Sequence, residues 1–145
     1  MDDRVVELQR GDLVLSTDRT RLDLDAVLSM LLTSHWGGRM TRSLLERAVA
    51  NSVCVGVYDA DRQIAFARAV TDLATYGYLT DVIVADEARG RGVGSWMVES
   101  IVTHPDLQGL RRVALWTRDA PGLYAKFGFT SDLPKSNYME LRPKT

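Results

Sequence analysis

The sequence has little cysteine and histidine, no surplus of either charge and no long apolar run. Its one cysteine, Cys54, excludes an internal disulfide framework and a cysteine-based zinc site, and reads instead as a small buried strand residue. The two histidines, His35 and His104, fall in no cluster with metal-ligand spacing. With 18 basic against 19 acidic side chains the formal charge is −1, which provides no general attraction to nucleic acid or to a membrane surface. The apolar run from Ala26 to Leu32 is already broken by Ser29, far short of the roughly 20 residues of a membrane span. Met1 to Gly11 is charged throughout and lacks the apolar stretch of a signal peptide, so a cytoplasmic, reducing compartment is expected.

What is present is apolar enough for a core: 46% of 145 residues are hydrophobic, which excludes a disordered chain. No repeat, low-complexity tract or linker divides the sequence, so one domain over residues 1–145 is expected. Leu13 to Ser16 predicts a strand. Asp23 and Asp25 sit where acidic caps belong, and Leu24, Val27, Leu28, Leu31 and Leu32 have the spacing of one helix face. After Gly37-Gly38, Thr41 and Ser43 offer start signals for a second helix; Ser43 and Glu46 have capping-box spacing, and Leu44, Leu45, Ala48 and Val49 share a face.

The period then changes to two. Val53 to Tyr58 predicts a strand and Asp59 to Arg62 a turn; in a second strand, Gln63 to Thr71, Ile64, Phe66 and Val70 share a face with Arg68. Tyr76 to Val84 follows the Asp72–Thr75 turn as a third strand. Gly92 to Thr103 predicts a helix closed by His104-Pro105, with His104 at the surface. Arg112 to Thr117 is another strand. Asp119 is placed to cap a short helix through Phe127, which Gly128 stops, and Phe129 with Tyr138 to Leu141 supplies the last strand. The order β-α-α-β-β-β-α-β-α-β predicts an α/β (α+β) fold, a mixed and mostly antiparallel sheet with helices on both faces.

Chemistry concentrates where the strand through Asp81, Val82, Ile83 and Val84 feeds Arg89-Gly90-Arg91-Gly92-Val93-Gly94 at the start of a helix. Glycines let a phosphate approach the backbone closely, and the helix N-terminus adds positive potential there. Arg89 and Arg91 add charge at the rim. No Gly-Lys-Ser/Thr follows, so the turn is not a P-loop, and Ser95 stands where a dinucleotide fingerprint needs a third glycine. A nucleotide-binding module of either kind is therefore disfavoured.

This segment resembles the acetyl-CoA motif of the GNAT N-acetyltransferase superfamily, Arg/Gln-x-x-Gly-x-Gly/Ala after a strand. A second family element is matched about 30 residues later by Ala120-Pro121-Gly122-Leu123-Tyr124-Ala125-Lys126-Phe127-Gly128-Phe129, a short helix with a tyrosine ending in Gly-Phe. The resemblance implies a GNAT-like fold in which the pantetheine arm of acetyl-CoA runs along Val82, Ile83 and Val84. The cofactor enters between that strand and Arg112 to Thr117. Its pyrophosphate rests on Arg89, Gly90, Arg91, Gly92, Val93 and Gly94 with Ser95, and the short helix from Asp119 to Phe127, which carries Tyr124, flanks the other side.

The implied reaction is direct acetyl transfer to a primary amine of a small molecule or peptide, with no metal. Tyr124 is the implied general acid for the leaving sulfur, since a phenol with a pKa near 10 can donate to a developing thiolate. Asp81 is the implied acidic partner of the amine, accepting its proton directly or through water; neighbouring Thr80 stands where some polyamine acetyltransferases of the family carry a glutamate. Backbone N–H groups of Val82 to Val84 are placed to polarise the thioester carbonyl. By the same analogy the acceptor meets His35, Trp36, Asp72, Tyr78, Asp81 and Tyr138. No nucleic acid or membrane partner is expected, and either a monomer or a homodimer suits the family. A chain that kept the cradle and lost productive chemistry would instead be an acyl-CoA-binding regulatory module.

Overall fold

Both early helices begin where a short polar side chain precedes an apolar face. The computed structural model describes residues 4–34, 38–131 and 138–143. At the start of α1 (Leu24–Leu32), Asp23 accepts the Ala26 N–H at 3.1 Å; at α2 (Arg42–Ala50), Thr41 accepts the Leu44 N–H at 3.2 Å. Such caps are each worth about 1 kcal/mol. Ser43 lies inside α2, and Glu46 pairs with Arg42 instead of closing a capping box.

The strands β1 (Glu7–Arg10), β2 (Leu13–Ser16), β3 (Ser52–Asp59), β4 (Arg62–Thr71), β5 (Tyr76–Val84) and β6 (Arg112–Leu115) lie across one sheet in chain order. Neighbours from β1 to β5 are antiparallel, whereas β5 and β6 are parallel. A parallel pair needs a crossover, which α3 (Val93–Val102) provides. A short helix, α4 (Pro121–Ala125), follows β6.

The sheet is mixed and mostly antiparallel, as expected, but its ends differ from the sequence reading. Strand β1 was missed because all four of its residues are exposed on an edge hairpin turned by Gly11 at φ 58°, so no apolar alternation marks it. Phe129 and residues 138–141, read as strand material, form no strand among the described residues. Asp119 does not cap α4; the Thr117 hydroxyl accepts the Ala120 N–H at 3.1 Å, and Asp119 pairs with Arg118.

The core has two layers. On one face, Val27, Leu31, Leu45 and Val49 of α1 and α2 pack on Cys54, Phe66 and Ile83. On the other, Trp96, Met97 and Ile101 of α3 pack on Leu15, Val55, Val57, Ala67 and Leu79. Each fully buried side chain of this kind contributes roughly 1.5–3 kcal/mol. Ile64 and Phe66 were expected to share a face. A register slip beside Val57 and Tyr58 leaves Ile64 without an opposite residue, so Ile64 joins the α3 layer while Phe66 joins the α1/α2 layer. His104, expected at the surface, is 3% exposed: its Nδ1 accepts the Asp106 N–H at 3.1 Å, which leaves Nε2 to donate to the Arg4 carbonyl at 3.0 Å.

Candidate active site

The parallel pairing of β5 with β6 runs from Tyr76 opposite Arg112 to Leu79 opposite Leu115 and then stops, while β5 continues to Val84. A fork opens there. Across β5, Ala85 donates to the Ile64 carbonyl at 2.8 Å and Ile83 lies opposite Phe66, so these residues direct their backbone groups toward β4. Strand alternation turns the N–H and C=O of Val82 and Val84 to the open edge. Ile83 lies on the same segment, but its side chain is in the α1/α2 core.

At the mouth of the fork β5 carries an extra residue. The register with β4 slips between Phe66 and Arg68, and Asp81 adopts φ 55°, a left-handed conformation that aspartate tolerates better than most side chains. Asp81 is 8% exposed and pairs with Arg68, Nε to Oδ2, at 2.6 Å. Its other carboxylate oxygen receives no hydrogen bond among the described residues.

Beyond β5 the chain makes a short 3-10 turn, Asp86–Ala88, and then the glycine-rich turn. Gly90 at φ 79° and Gly92 at φ 74° lie in the left-handed region, and a Cβ on either would meet nothing within 4 Å. Gly92 caps α3 with no side-chain acceptor, and the first helical hydrogen bond is Trp96 N–H to the Gly92 carbonyl at 3.0 Å. Among the described residues, none of the backbone N–H groups from Gly90 to Ser95 donates to a protein acceptor. Gly90 and Gly92 to Ser95 line a hollow of about 220 Å³ with Val84, Ala88, Arg89 and Leu123. Arg89 is held at its rim by Asp86 at 3.2 Å, and Arg91 carries no ion pair among the described residues.

Helix α4 forms the opposite wall. A Cβ on Gly94 would touch both Leu123 and Val84 at 3.9 Å, which measures how closely α4, α3 and β5 converge. Tyr124, one residue on, is half-buried and meets Phe129 edge-to-face at 6.1 Å. Its hydroxyl has no hydrogen-bond partner among the described residues, and burial pushes its pKa above the usual phenol value.

On the α1/α2 side the predicted acceptor residues separate. Tyr78, between Val70 and Ala114 in register, is half-buried; burial, then the neighbouring Tyr76, Asp81 and Glu140, raise its pKa. Tyr138 is exposed and donates to Glu140 at 2.7 Å. Asp72 instead turns inward on its own loop, accepting the N–H groups of Ala74, Thr75 and Tyr76 at 2.9, 2.7 and 3.2 Å and the Thr75 hydroxyl at 2.5 Å. His35 and Trp36 lie outside the described residues.

The geometry is a strand edge with open backbone groups beside a glycine-lined hollow at a helix N-terminus. Residues 50–131, more than half of the chain, match the family model described as an acetyltransferase (GNAT) domain. The chain belongs to the GNAT acetyltransferases.

A crystal structure of a GNAT-family protein of Xanthomonas campestris pv. campestris is similar throughout, with TM-score 0.87 and 40% identity over 93% of this chain and 96% of that one. A Gibberella zeae protein whose name places it among acetyltransferases is 34% identical over 140 residues, covering 81% of this chain and 78% of its own length. The chloroplastic serotonin N-acetyltransferase 2 of Oryza sativa subsp. japonica is 31% identical over 132 residues, covering 87% of this chain and 66% of the rice protein.

Two side chains of this GNAT fork escape a motif reading. Arg68 had a signal, a guanidinium on an otherwise apolar strand face, but its partner Asp81 is reached only through the bulge. Trp116, just past β6, is 72% exposed and meets Tyr138 edge-to-face at 6.1 Å. A large aromatic so exposed beside the fork is a second feature the motifs do not mark. Among the described residues no helix is long and apolar enough to cross a membrane.

Proposed function

We propose that this GNAT acetyltransferase transfers an acetyl group from acetyl-CoA to the primary amine of a small molecule or peptide. The observation that carries the reading is the set of backbone N–H groups from Gly90 to Ser95 that have no protein acceptor among the described residues, next to the β5 edge that β6 leaves open beyond Leu79. The cradle fits a pyrophosphate: two glycines at positive φ leave open space above the backbone, and the N-terminus of ten-residue α3 adds positive potential. Val82 and Val84 would hold the pantetheine arm, and Arg89, Arg91 and Ser95 would meet the phosphates. Thr117, whose hydroxyl accepts the Ala120 N–H just before α4, stands at the opposite wall. The amine acceptor agrees with the name of the rice relative, whose substrate carries a primary amine.

Bound there, acetyl-CoA supplies a thioester whose carbonyl is open to an uncharged amine nitrogen. The chain's own groups do the rest. Open N–H groups of Val82 and Val84 polarise the carbonyl oxygen, a role typically worth a few kcal/mol of barrier. Asp81, through the oxygen that Arg68 leaves free, draws a cationic amine and accepts its proton directly or through water. Tyr124 protonates the leaving sulfur; burial keeps its phenol in the neutral, donating form.

The test is to combine melting curves at millimolar acetyl-CoA with thiol release across a varied amine panel. A ligand at about 100 times its dissociation constant stabilises by roughly 2.7 kcal/mol, a plain upward shift. Absence of any shift sinks the cofactor reading, and a shift without thiol release on any amine marks a regulatory module instead. Tyr124→Phe is expected to lower kcat about 100-fold with acetyl-CoA affinity retained. Since its pKa is raised, any loss of activity from ionising Tyr124 falls above pH 10, not near neutrality.

A further inference from the structure

Apart from the cradle, the most constrained point near the fork is Asp81, a buried carboxylate at left-handed φ on the extra residue of β5. Its partner Arg68 comes from β4, with a side chain only 14% exposed. The same guanidinium donates through Nη1 to Ser52 Oγ at 3.2 Å, and Ser52, 1% exposed, donates to the Ala48 carbonyl at 2.7 Å. A chain of polar contacts therefore runs from the bulge in β5, across β4 and β3, to the last turn of α2.

The bulge decides which backbone groups reach the open edge. Before it, Leu79 faces the α3 layer; after it, Val82 and Val84 face that layer and Ile83 the other. Removing one residue of offset would swap the faces of everything beyond it and turn the edge groups of Val82 and Val84 inward. Nothing local favours the offset, because the left-handed residue is not glycine and its carboxylate is out of water. A buried carboxylate without its cation is strongly destabilising in place, whereas a paired one is held.

We infer that Arg68 is a positioning residue: its ion pair with Asp81 locks the β5 bulge and thereby sets the register of the Val82 and Val84 edge on which cofactor binding depends. The inference rests on the proposed cofactor reading only for its consequence in binding; the lock itself is a property of the strand. It differs from a general packing role in one respect. Glycine adopts φ near +55° without help and carries no charge to neutralise, so Arg68 should matter little once residue 81 is glycine.

The experiment is a cycle of four proteins: wild type, Arg68→Met, Asp81→Gly and the double variant. Acetyl-CoA dissociation constants are measured together with amide hydrogen exchange at Ile83 and Ala85, which face β4 beyond the bulge. Arg68→Met should weaken acetyl-CoA at least tenfold and speed exchange at Ile83 and Ala85 at least tenfold, with Val55 and Val57 in the centre of the sheet exchanging as in wild type. In the Asp81→Gly background the same substitution should change both quantities less than threefold. Equal losses in the two backgrounds, or slow Ile83 exchange in Arg68→Met, overturn the lock. If Arg68→Met fails to fold, Arg68→Lys is taken through the same cycle, with an expected loss between the two and the same criterion of suppression by glycine. A wild type that binds no acetyl-CoA refutes the cofactor reading alone, and the exchange rates still decide the lock.

Discussion

Two loops of this chain present backbone N–H groups, and they differ in what meets them. In the loop after β4, three successive N–H groups and a hydroxyl converge on the carboxylate of Asp72, which the chain supplies itself. In the loop after β5, the N–H groups from Gly90 to Ser95 have no protein acceptor among the described residues, α3 has no side-chain cap, and the loop borders an open hollow. The same donor chemistry is thus closed in one place and open in the other. An internal anion makes the first loop a structural turn; glycines in place of acids leave the second without one, which the proposed function fills with the pyrophosphate of acetyl-CoA.

The sharpest way to break this contrast is to close the open loop from within. Gly92→Asp places a carboxylate beside the donors at a position whose φ of 74° strains aspartate less than most other side chains. Acetyl-CoA affinity should fall at least 100-fold, about 2.7 kcal/mol, while the melting temperature stays within about 5 °C of wild type. Calorimetric titration checks it; binding within threefold of wild type would show that the turn is only a strand-to-helix connection. A smaller effect is expected at the rim. Arg91 is exposed and unpaired among the described residues, so Arg91→Ser should weaken acetyl-CoA two- to fivefold at low salt, the gap narrowing as salt rises. A loss as large as that of Gly92→Asp would mean that side-chain charge, not the backbone, holds the anion.

The open loop was legible in the sequence because its requirement is strict: positive φ at two positions and a helix start demand Gly90 and Gly92, and few other patterns satisfy both. The Ala120–Phe129 element was legible for a similar reason, although Asp119 does not cap it and α4 starts with no side-chain cap, the Thr117 hydroxyl accepting from Ala120 just before it. What stayed hidden depends on partners remote in sequence. His104 looks like a surface helix end, yet it is buried by a carbonyl 100 residues away. Ile64 and Asp81 change faces at register slips that alternation cannot reveal, so the Arg68 pair was invisible although Arg68 stood out on its strand. Asp72 was read as a pocket residue; the Asp-x-x-Thr spacing that folds its carboxylate onto its own loop was there, but competed with its nearness to the tyrosines of β5.

The closed loop supplies the smallest of these effects and the cleanest sign. Hydrogen bonds from the Thr75 hydroxyl, then from the N–H groups of Thr75, Ala74 and Tyr76, hold the Asp72 carboxyl well below its ordinary value of 3.8. A depressed folded-state pKa means that the stabilisation is fully present above the unfolded value and is lost as pH falls through the folded one. Asp72→Asn keeps an oxygen for the three N–H groups and removes the charge and the Oδ2 acceptor of the Thr75 hydroxyl, so it should lower the melting temperature by a small amount that is constant from pH 8 to about 5. Below about pH 4 the wild-type advantage should shrink as pH falls, because the carboxyl of the unfolded chain then takes up a proton that the folded one, with its depressed pKa, still resists. A gap that persists unchanged to pH 2 would mean that geometry alone closes this loop, and the contrast with the open one would then lie in backbone shape, not in who supplies the anion.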